Sequence, residues 1–339
     1  MPPRILVYGA GAIGSFIGAV LAESGADVTL LARGAHADAL VAQGGLLLQQ
    51  PGGLDRHVPL RVCRPGEPHG VFDIVFVTLK STHLAAAAAG MMRAVSAQGA
   101  LVMVQNGLPW WYFNGIDHPL IGTVLRSLDP DGELGRTIDP KRVIGAVIYR
   151  PSDMIAPGVI RVAVTSKQRL VIGEIDGSLS GRCRQVQQLL AAAGFPVEIT
   201  ADIRAAKWQK VLVNLLWNPL AALTQSSPGE ISAFEPAHPL IAAVLKEGAG
   251  VAASVGVSLP SDPHAELRRS AGNFSPPSML QDVRSGRPLE LDAIVHAAVE
   301  IAALNNVPVP TLKALAACAA LLDRKIREDG SAVVTRLRE

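Results

Sequence analysis

The stretch RILVYGAGAIGSFIGAVLAESGADVTLLAR, residues 4–33, decides the fold. Arg4 to Tyr8 is a short apolar run with β-branched residues, suited to a strand buried on both faces. Gly9 to Gly14 interrupts it, and Ser15 to Ser24 reads as a helix ended by Gly25. Asp27 to Ala32 is a second strand, so about thirty residues hold one β-α-β unit, the smallest piece of a parallel sheet. The interruption, Gly9-Ala10-Gly11-Ala12-Ile13-Gly14, is GxGxxG. Gly9 suits a tight turn, Gly11 leaves the backbone open to a pyrophosphate, and Gly14 lets helix and strand pack closely. A phosphate there would meet the free N–H groups and the positive end of the helix. These six residues are expected to bind a dinucleotide. The same glycines stand where a signal peptide needs a helical apolar segment, so residues 1–22 do not read as one.

The end of the second strand selects the dinucleotide. NAD-selective sites carry an acidic residue about 20 positions beyond the glycines, on the ribose hydroxyls. Here the strand ends Leu30-Leu31-Ala32-Arg33, with no carboxylate. A guanidinium can pair with a 2′-phosphate by charge-assisted hydrogen bonds and stack on adenine. The expected cofactor is NADP(H), with Arg33 on the phosphate.

Farther along, Ile74 to Thr78 and Ala100 to Gln105 read as strands, with an alanine-rich helix from Leu84 to Ser96 between them. Alternating strands and helices indicate a doubly wound α/β domain. VIGAVIY (143–149) and GVIRVAV (158–164), separated by a Pro/Gly turn, read as an antiparallel addition to the sheet. A helix at 181–193 and a strand at 197–200 close the domain. After Ala201 the pattern is almost wholly helical, with segments at 204–223, 240–255, 279–284, 290–304 and 312–327. The expected architecture is an N-terminal Rossmann-type, doubly wound α/β domain (1–201) and an all-α C-terminal domain (202–339), the latter ending in a frayed polar tail.

Composition sets bounds on function. Among 339 residues, 31 Lys+Arg against 29 Asp+Glu leave a formal charge of +2, without the basic field that drives nucleic-acid binding. Hydrophobic residues make up 49% and charged residues 18%, which argues for folded cores over disorder. No stretch of about 18 apolar residues runs free of charge, so no membrane span is expected. Cys63, Cys183 and Cys318 lie far apart with no CxxC, which argues against a disulfide framework and a zinc site; no metal is expected. A reducing, cytoplasmic setting follows.

The segment KWQKVLVNLLWNPLAALT, residues 207–224, carries the chemistry. Lys210, Asn214 and Asn218 stand at i, i+4 and i+8, on one helix face that drifts by about 40° per step. Val211, Leu212, Val213, Leu215, Leu216 and Trp217 surround them, so the stripe is expected to be buried. Buried amides and ammonium groups require partners, either a polar ligand or a structural network. Pro219 lacks an N–H and leaves the Leu215 carbonyl without its helical donor. Reduction of a ketone by hydride needs a proton for the developing alkoxide, and none of the eight histidines sits in a motif for that role. A lysine desolvated in a cleft has its pKa lowered toward neutrality and suits a general acid.

With these motifs in this order, GAGAIG at 9–14, Arg33, TLK at 78–80, QNG at 105–107, KVLVNLLWNPLAALT at 210–224 and SMLQD at 278–282 followed by Glu290, the chain resembles the ketopantoate reductase (2-dehydropantoate 2-reductase) family over nearly its whole length. The resemblance implies NADPH-dependent reduction of a 2-oxo acid, ketopantoate first among them, in pantothenate synthesis. It implies that Lys210 is the proton donor, that Asn214 and Asn218 bind substrate oxygens, and that Ser278 holds the substrate carboxylate. It places Glu290 near the reacting hydroxyl and the nicotinamide ribose, and Lys80 and Asn106 beside the nicotinamide. A homodimer is a further implication.

Blander readings exist for several of these residues. Ser278 before MLQD is also an N-cap pattern, and Asp282 reads as helix-stabilising. Glu290 is also a first-turn helix charge. Asn106-Gly107 is also a strand-end turn, and Lys80 also reads as solvated. Residues 108–141 form an insertion with four consecutive aromatics, Trp110, Trp111, Tyr112 and Phe113, in a chain that is only 4% aromatic. They would roof the site, pack between subunits, or pack on their own domain. Roofing would favour a different, bulkier 2-oxo acid. A non-catalytic NADPH-binding sensor of the same fold is the reading from another class, and the intact stripe with Ser278 and Glu290 argues against it, because a sensor needs no proton donor.

Overall fold

The computed structural model describes residues 2–67, 70–163 and 168–329; the expected polar tail falls outside them. The strands are β1 (Ile5–Tyr8), β2 (Val28–Leu31), β3 (Gly45–Gln49), β4 (Arg56–Pro59), β5 (Arg61–Cys63), β6 (Phe72–Val77), β7 (Val95–Met103), β8 (Val143–Tyr149), β9 (Ser152–Ala156), β10 (Val159–Val162), β11 (Arg169–Glu174) and β12 (Val197–Ile199). Among them run the helices α1 (Ala12–Glu23), α2 (Gly34–Ala42), α3 (Leu84–Ala94), α4 (Glu133–Thr137) and α5 (Gly181–Ala192). The later helices are α6 (Ile203–Thr224), α7 (Pro228–Ala233), α8 (His238–Ser254), α9 (Pro263–Ser270), α10 (Ser278–Arg284), α11 (Ala297–Leu304) and α12 (Pro310–Asp329). The chain divides into two compact units. One comprises residues 1–105, 113–123 and 132–206, and the other 106–112, 124–131 and 207–339.

The first unit is built on an eight-stranded sheet of order β12-β11-β8-β7-β6-β1-β2-β5. Strands β5, β2, β1, β6, β7 and β8 run parallel, and β11 returns antiparallel to β8. Strand β1 is the switch point, with β2 on one side and β6 on the other. Ligands of doubly wound sheets bind beyond the carboxyl ends of the strands at such a point. A second sheet, β4-β3-β10-β9, packs on α1. This explains why α1 is apolar nearly all round. Phe16, Ile17 and Val20 share one core with Val7 and Leu30 of the large sheet and with Leu48, Val58 and Ile160 of the small one.

The GVIRVAV segment does not add to the large sheet beside VIGAVIY. The turn at Pro157-Gly158 joins β10 to β9, and β10 runs parallel to β3. The antiparallel neighbour of β8 is β11, a strand whose alternation is weak because it is buried along nearly its whole length.

In the second unit α8 packs against α9, α11 and α12. Val211, Leu212, Leu215 and Leu216 are buried, and α8 comes so close that a Cβ on Gly248 would lie 2.6 Å from Leu212 Cδ1. Carboxylates tie down free helix and loop N–H groups. Glu247 accepts from the amides of Thr311 and Leu312 at 2.9 and 2.8 Å at the start of α12, and Glu300 accepts from those of Arg126 and Ser127. Ser227 and Glu230 form a capping box on α7. Helices α7 and α9 are short and lie outside the sequence expectation. Among the described residues no helix is long and apolar enough to cross a membrane.

Candidate active site

At the carboxyl end of β1 the glycine loop runs straight into α1. Gly14 packs so tightly that a Cβ there would lie 2.0 Å from the Gly9 carbonyl oxygen and 2.4 Å from Thr78 Oγ1, so only glycine fits. The Thr78 hydroxyl donates to that same carbonyl and ties the loop to the end of β6. Gly11 is the N-cap of α1, extended, with no side chain capping the helix and no acidic residue in its first turn. A Cβ on Gly11 would meet nothing within 4 Å. An open approach to helix N–H groups without a competing carboxylate fits a bound pyrophosphate. Ala10 precedes the N-cap, and Ala12 and Ile13 begin the first turn of α1.

Arg33 follows β2, is exposed, and is the N-cap of α2. Its guanidinium lies 3.4 Å from Nε2 of His83, at the start of α3. Half-buried Lys80 precedes the short turn Ser81–His83. Burial lowers the His83 pKa, and the charges of Arg33 and Lys80 push it the same way. Three basic side chains therefore gather where the adenosine end of a dinucleotide would leave the glycine loop. His83 is a member of this group that the motif reading passes over.

In the second unit Lys210, Asn214 and Asn218 share one face of α6. Lys210 is half-buried by surface area, yet protein surrounds its ammonium closely enough for desolvation to push the pKa down to about 8, with Glu290 pulling it back up. Lys207, one turn earlier on α6, is 3% exposed, and burial followed by repulsion from Lys210 lowers it to about 7. Its i, i+3 spacing to Lys210 was the available sequence signal. Asn214 Nδ2 donates to Asn106 Oδ1 at 3.1 Å, so QNG meets the stripe. Asn218 is 2% exposed, and its Nδ2 has no hydrogen-bond partner among the described residues.

The Asn106-Gly107 turn is held by backbone contact. Gly107 has φ +80°, its built Cβ would lie 2.3 Å from the Ala293 carbonyl oxygen, and that oxygen accepts from the Leu108 amide at 2.7 Å. Ala293 belongs to a π-helical turn, Asp292–His296, that leads into α11. Glu290 stands two residues ahead of this turn. Such turns break the regular ladder and recur at functional sites. Ser278 is exposed and opens α10, with Pro277 as the N-cap, so its hydroxyl does not make the capping bond. Buried Asp282 is engaged by the Arg287 guanidinium at 2.8 Å, a structural role.

The aromatic run is buried throughout, with exposures from 0 to 6%. Tyr112 stacks edge-on against Trp208 of α6 and accepts its indole N–H at 2.7 Å. Trp111 and Tyr112 are thus core residues.

A glycine cradle at the switch point of a doubly wound sheet, with a lysine–asparagine stripe on a helical unit, defines a nicotinamide-dependent oxidoreductase acting on a CH–OH group. The chain belongs to the ketopantoate reductase family: the model for Ketopantoate reductase PanE/ApbA matches residues 5–177, and that for its C-terminal part matches 202–323. A 2-dehydropantoate 2-reductase of Mesorhizobium japonicum is 36% identical over 93% of this chain and 96% of its own. A structure from Ralstonia eutropha JMP134, a PanE/ApbA family ketopantoate reductase, superposes with TM-score 0.80 at 28% identity, covering 96% of this chain and 99% of that one. At 17% identity, D-mandelate dehydrogenase in a ternary structure with NADH and anilino(oxo)acetate shares the fold, with TM-score 0.80 and cover of 96% and 99%.

Proposed function

We propose that this chain is an NADPH-dependent 2-dehydropantoate 2-reductase, converting 2-dehydropantoate to pantoate. The observation that carries the reading is the buried Asn218 amide, whose Nδ2 has no hydrogen-bond partner among the described residues, on the same helix face as a lysine whose ammonium burial has made acidic. An orphaned buried donor costs about 1–3 kcal/mol and is offset when a ligand oxygen accepts from it. The names of the relatives supply the substrate, a 2-oxo acid rich in such oxygens.

The nicotinamide, when bound, supplies a hydride to C2 of the oxo acid. Lys210 donates its proton to the C2 oxygen, so the ketone leaves as an alcohol. Asn214 and Asn218 hold substrate oxygens, and the Ser278 hydroxyl donates to the carboxylate. Glu290 orients Lys210 and the nicotinamide ribose, and Lys80 and Asn106 stand beside the nicotinamide. The glycine loop from Gly9 to Gly14 takes the pyrophosphate, and Arg33 takes the 2′-phosphate. A homodimer belongs to the same reading and is checked by sedimentation.

The test is NADPH consumption with 2-dehydropantoate and a panel of other 2-oxo acids, for wild type beside Lys210→Ala. Turnover of 2-dehydropantoate that collapses in the variant is expected. Turnover of another oxo acid alone would keep the mechanism and replace the substrate. NADPH binding with no turnover of anything would overturn the enzyme reading.

A further inference from the structure

Helix α12 carries a buried stripe at helical spacing: Leu312, Leu315, Ala316, Ala319 and Ile326. Asp323 stands in line with it, four residues after Ala319 and three before Ile326, and its side chain is 14% exposed. A carboxylate in such a stripe is costly unless it is bonded. One of its oxygens accepts the Leu289 amide at 2.7 Å, and the other pairs with the Arg327 guanidinium at 2.7 Å. Leu289 is the residue before Glu290. Helix α12 is itself anchored, because Glu247 of α8 holds the amides of Thr311 and Leu312 and α12 packs on the π-helical turn that follows Glu290. Other charged groups of this segment engage one another, Arg287 with Asp282 at 2.8 Å and His296 with Asp292 at 2.9 Å. Glu290 therefore lies between two fixed points of backbone. On one side Asp323 holds the Leu289 amide, and on the other the Ala293 carbonyl holds the Leu108 amide.

We infer that Asp323 is a positioning residue for the proposed reduction: by holding the Leu289 amide it fixes where the Glu290 carboxylate stands relative to Lys210. The inference rests on the reading of Lys210 as the proton donor. Burial and Glu290 together shift the Lys210 pKa, so Asp323 reaches the lysine through Glu290. A Coulomb interaction changes with the separation of the charges, and a displaced Glu290 backbone alters the acid itself. Lys207, the other ammonium one turn earlier on α6, responds to the Lys210 charge, whereas Glu290 is the carboxylate whose field opposes burial at Lys210. Stability alone does not call for a carboxylate at position 323. A hydrophobic residue of similar volume in place of a buried ion pair is often neutral or stabilising. What an apolar side chain there could not supply is an acceptor for the Leu289 amide.

The test compares pH profiles of kcat/KM for reduction of the oxo acid in wild type, Asp323→Ala, Asp323→Asn and Glu290→Gln, with melting curves for each. Asp323→Ala releases the Leu289 amide. It should move the alkaline limb to lower pH by at least half of the displacement that Glu290→Gln produces. Asp323→Asn keeps an oxygen for the amide and should hold the limb where the wild type has it. Should Asp323→Ala fail to fold, Asp323→Leu completes the apolar stripe, lacks the acceptor, and is expected to show the same displacement. A lowered melting temperature with the limb in place, while Glu290→Gln is displaced, would make Asp323 a structural residue and overturn the inference alone. Equal displacement in Asp323→Ala and Asp323→Asn would assign the effect to charge and overturn it as well, as would an unmoved limb in Glu290→Gln. No turnover by the wild type of any oxo acid would overturn the reductase reading and the inference with it.

Discussion

Trp208 donates its indole N–H to the Tyr112 hydroxyl at 2.7 Å, and both rings are fully buried. The bond fixes the helix that carries Lys210 against a segment nearly a hundred residues earlier in the chain. Tyr112→Phe leaves the indole donor without its acceptor and should cost about 1–3 kcal/mol in denaturant unfolding. Adding Trp208→Phe should not double the loss, because the two residues form one unit.

With Lys210 as the proposed proton donor, its ionisation would set the pH dependence. Its pKa is depressed to about 8, and on that proposal reduction requires the protonated form. For 2-dehydropantoate reduction, kcat/KM should be level below pH 7 and fall as pH rises through about 8. Pantoate oxidation, which needs the neutral amine, should rise over the same range. Lys210→Ala should lower kcat by about 10²–10⁴-fold and abolish this limb.

Glu290 acts on that limb through its charge. The carboxylate raises the Lys210 pKa against the effect of burial. Glu290→Gln should shift the alkaline limb of the reduction profile to lower pH, whereas Glu290→Asp should move it less. An unmoved limb would leave Glu290 only a binding role.

Arg33 is tested by a reversal of charge. Arg33→Asp should raise KM for NADPH far more than for NADH, because the carboxylate repels the 2′-phosphate and accepts from ribose hydroxyls. Equal effects on the two cofactors would remove Arg33 from the phosphate.

Gly107 is required twice over, by its φ of +80° and by the Ala293 carbonyl 2.3 Å from a Cβ built there. Gly107→Ala should destabilise the protein by roughly 2 kcal/mol or more and displace Asn106 from Asn214. Thermal melting and the KM for the oxo acid would report the two effects separately.

Much of this was legible in the sequence because it is local. The β1–loop–α1 unit follows from glycine spacing and a change of hydrophobic period, and the α6 stripe follows from the 3.6-residue repeat. Strand partnership is not local: nothing within GVIRVAV says that its neighbours are β3 and β9, and β3 itself, GLLLQ, has no alternating pattern. The aromatic run stands out by composition, but the sequence leaves open what it packs on, because its partner Trp208 lies on another segment. His83 escaped notice because its surroundings arise only when the turns after β2 and β6 come together. The π-helical turn beside Glu290 likewise has no signature in the residues that form it.

Residues 106–112 and 124–131 belong to the helical unit although the ribosome makes them well before its helices. Tyr112 must wait for Trp208, and Ser127 for Glu300, before either finds its hydrogen-bond partner. The nascent sheet therefore emerges carrying unfinished pieces of the other unit, and that unit can close only once synthesis has passed residue 300. A cut near residue 202 would therefore part the helices from residues 106–112 and 124–131, two segments of their own unit.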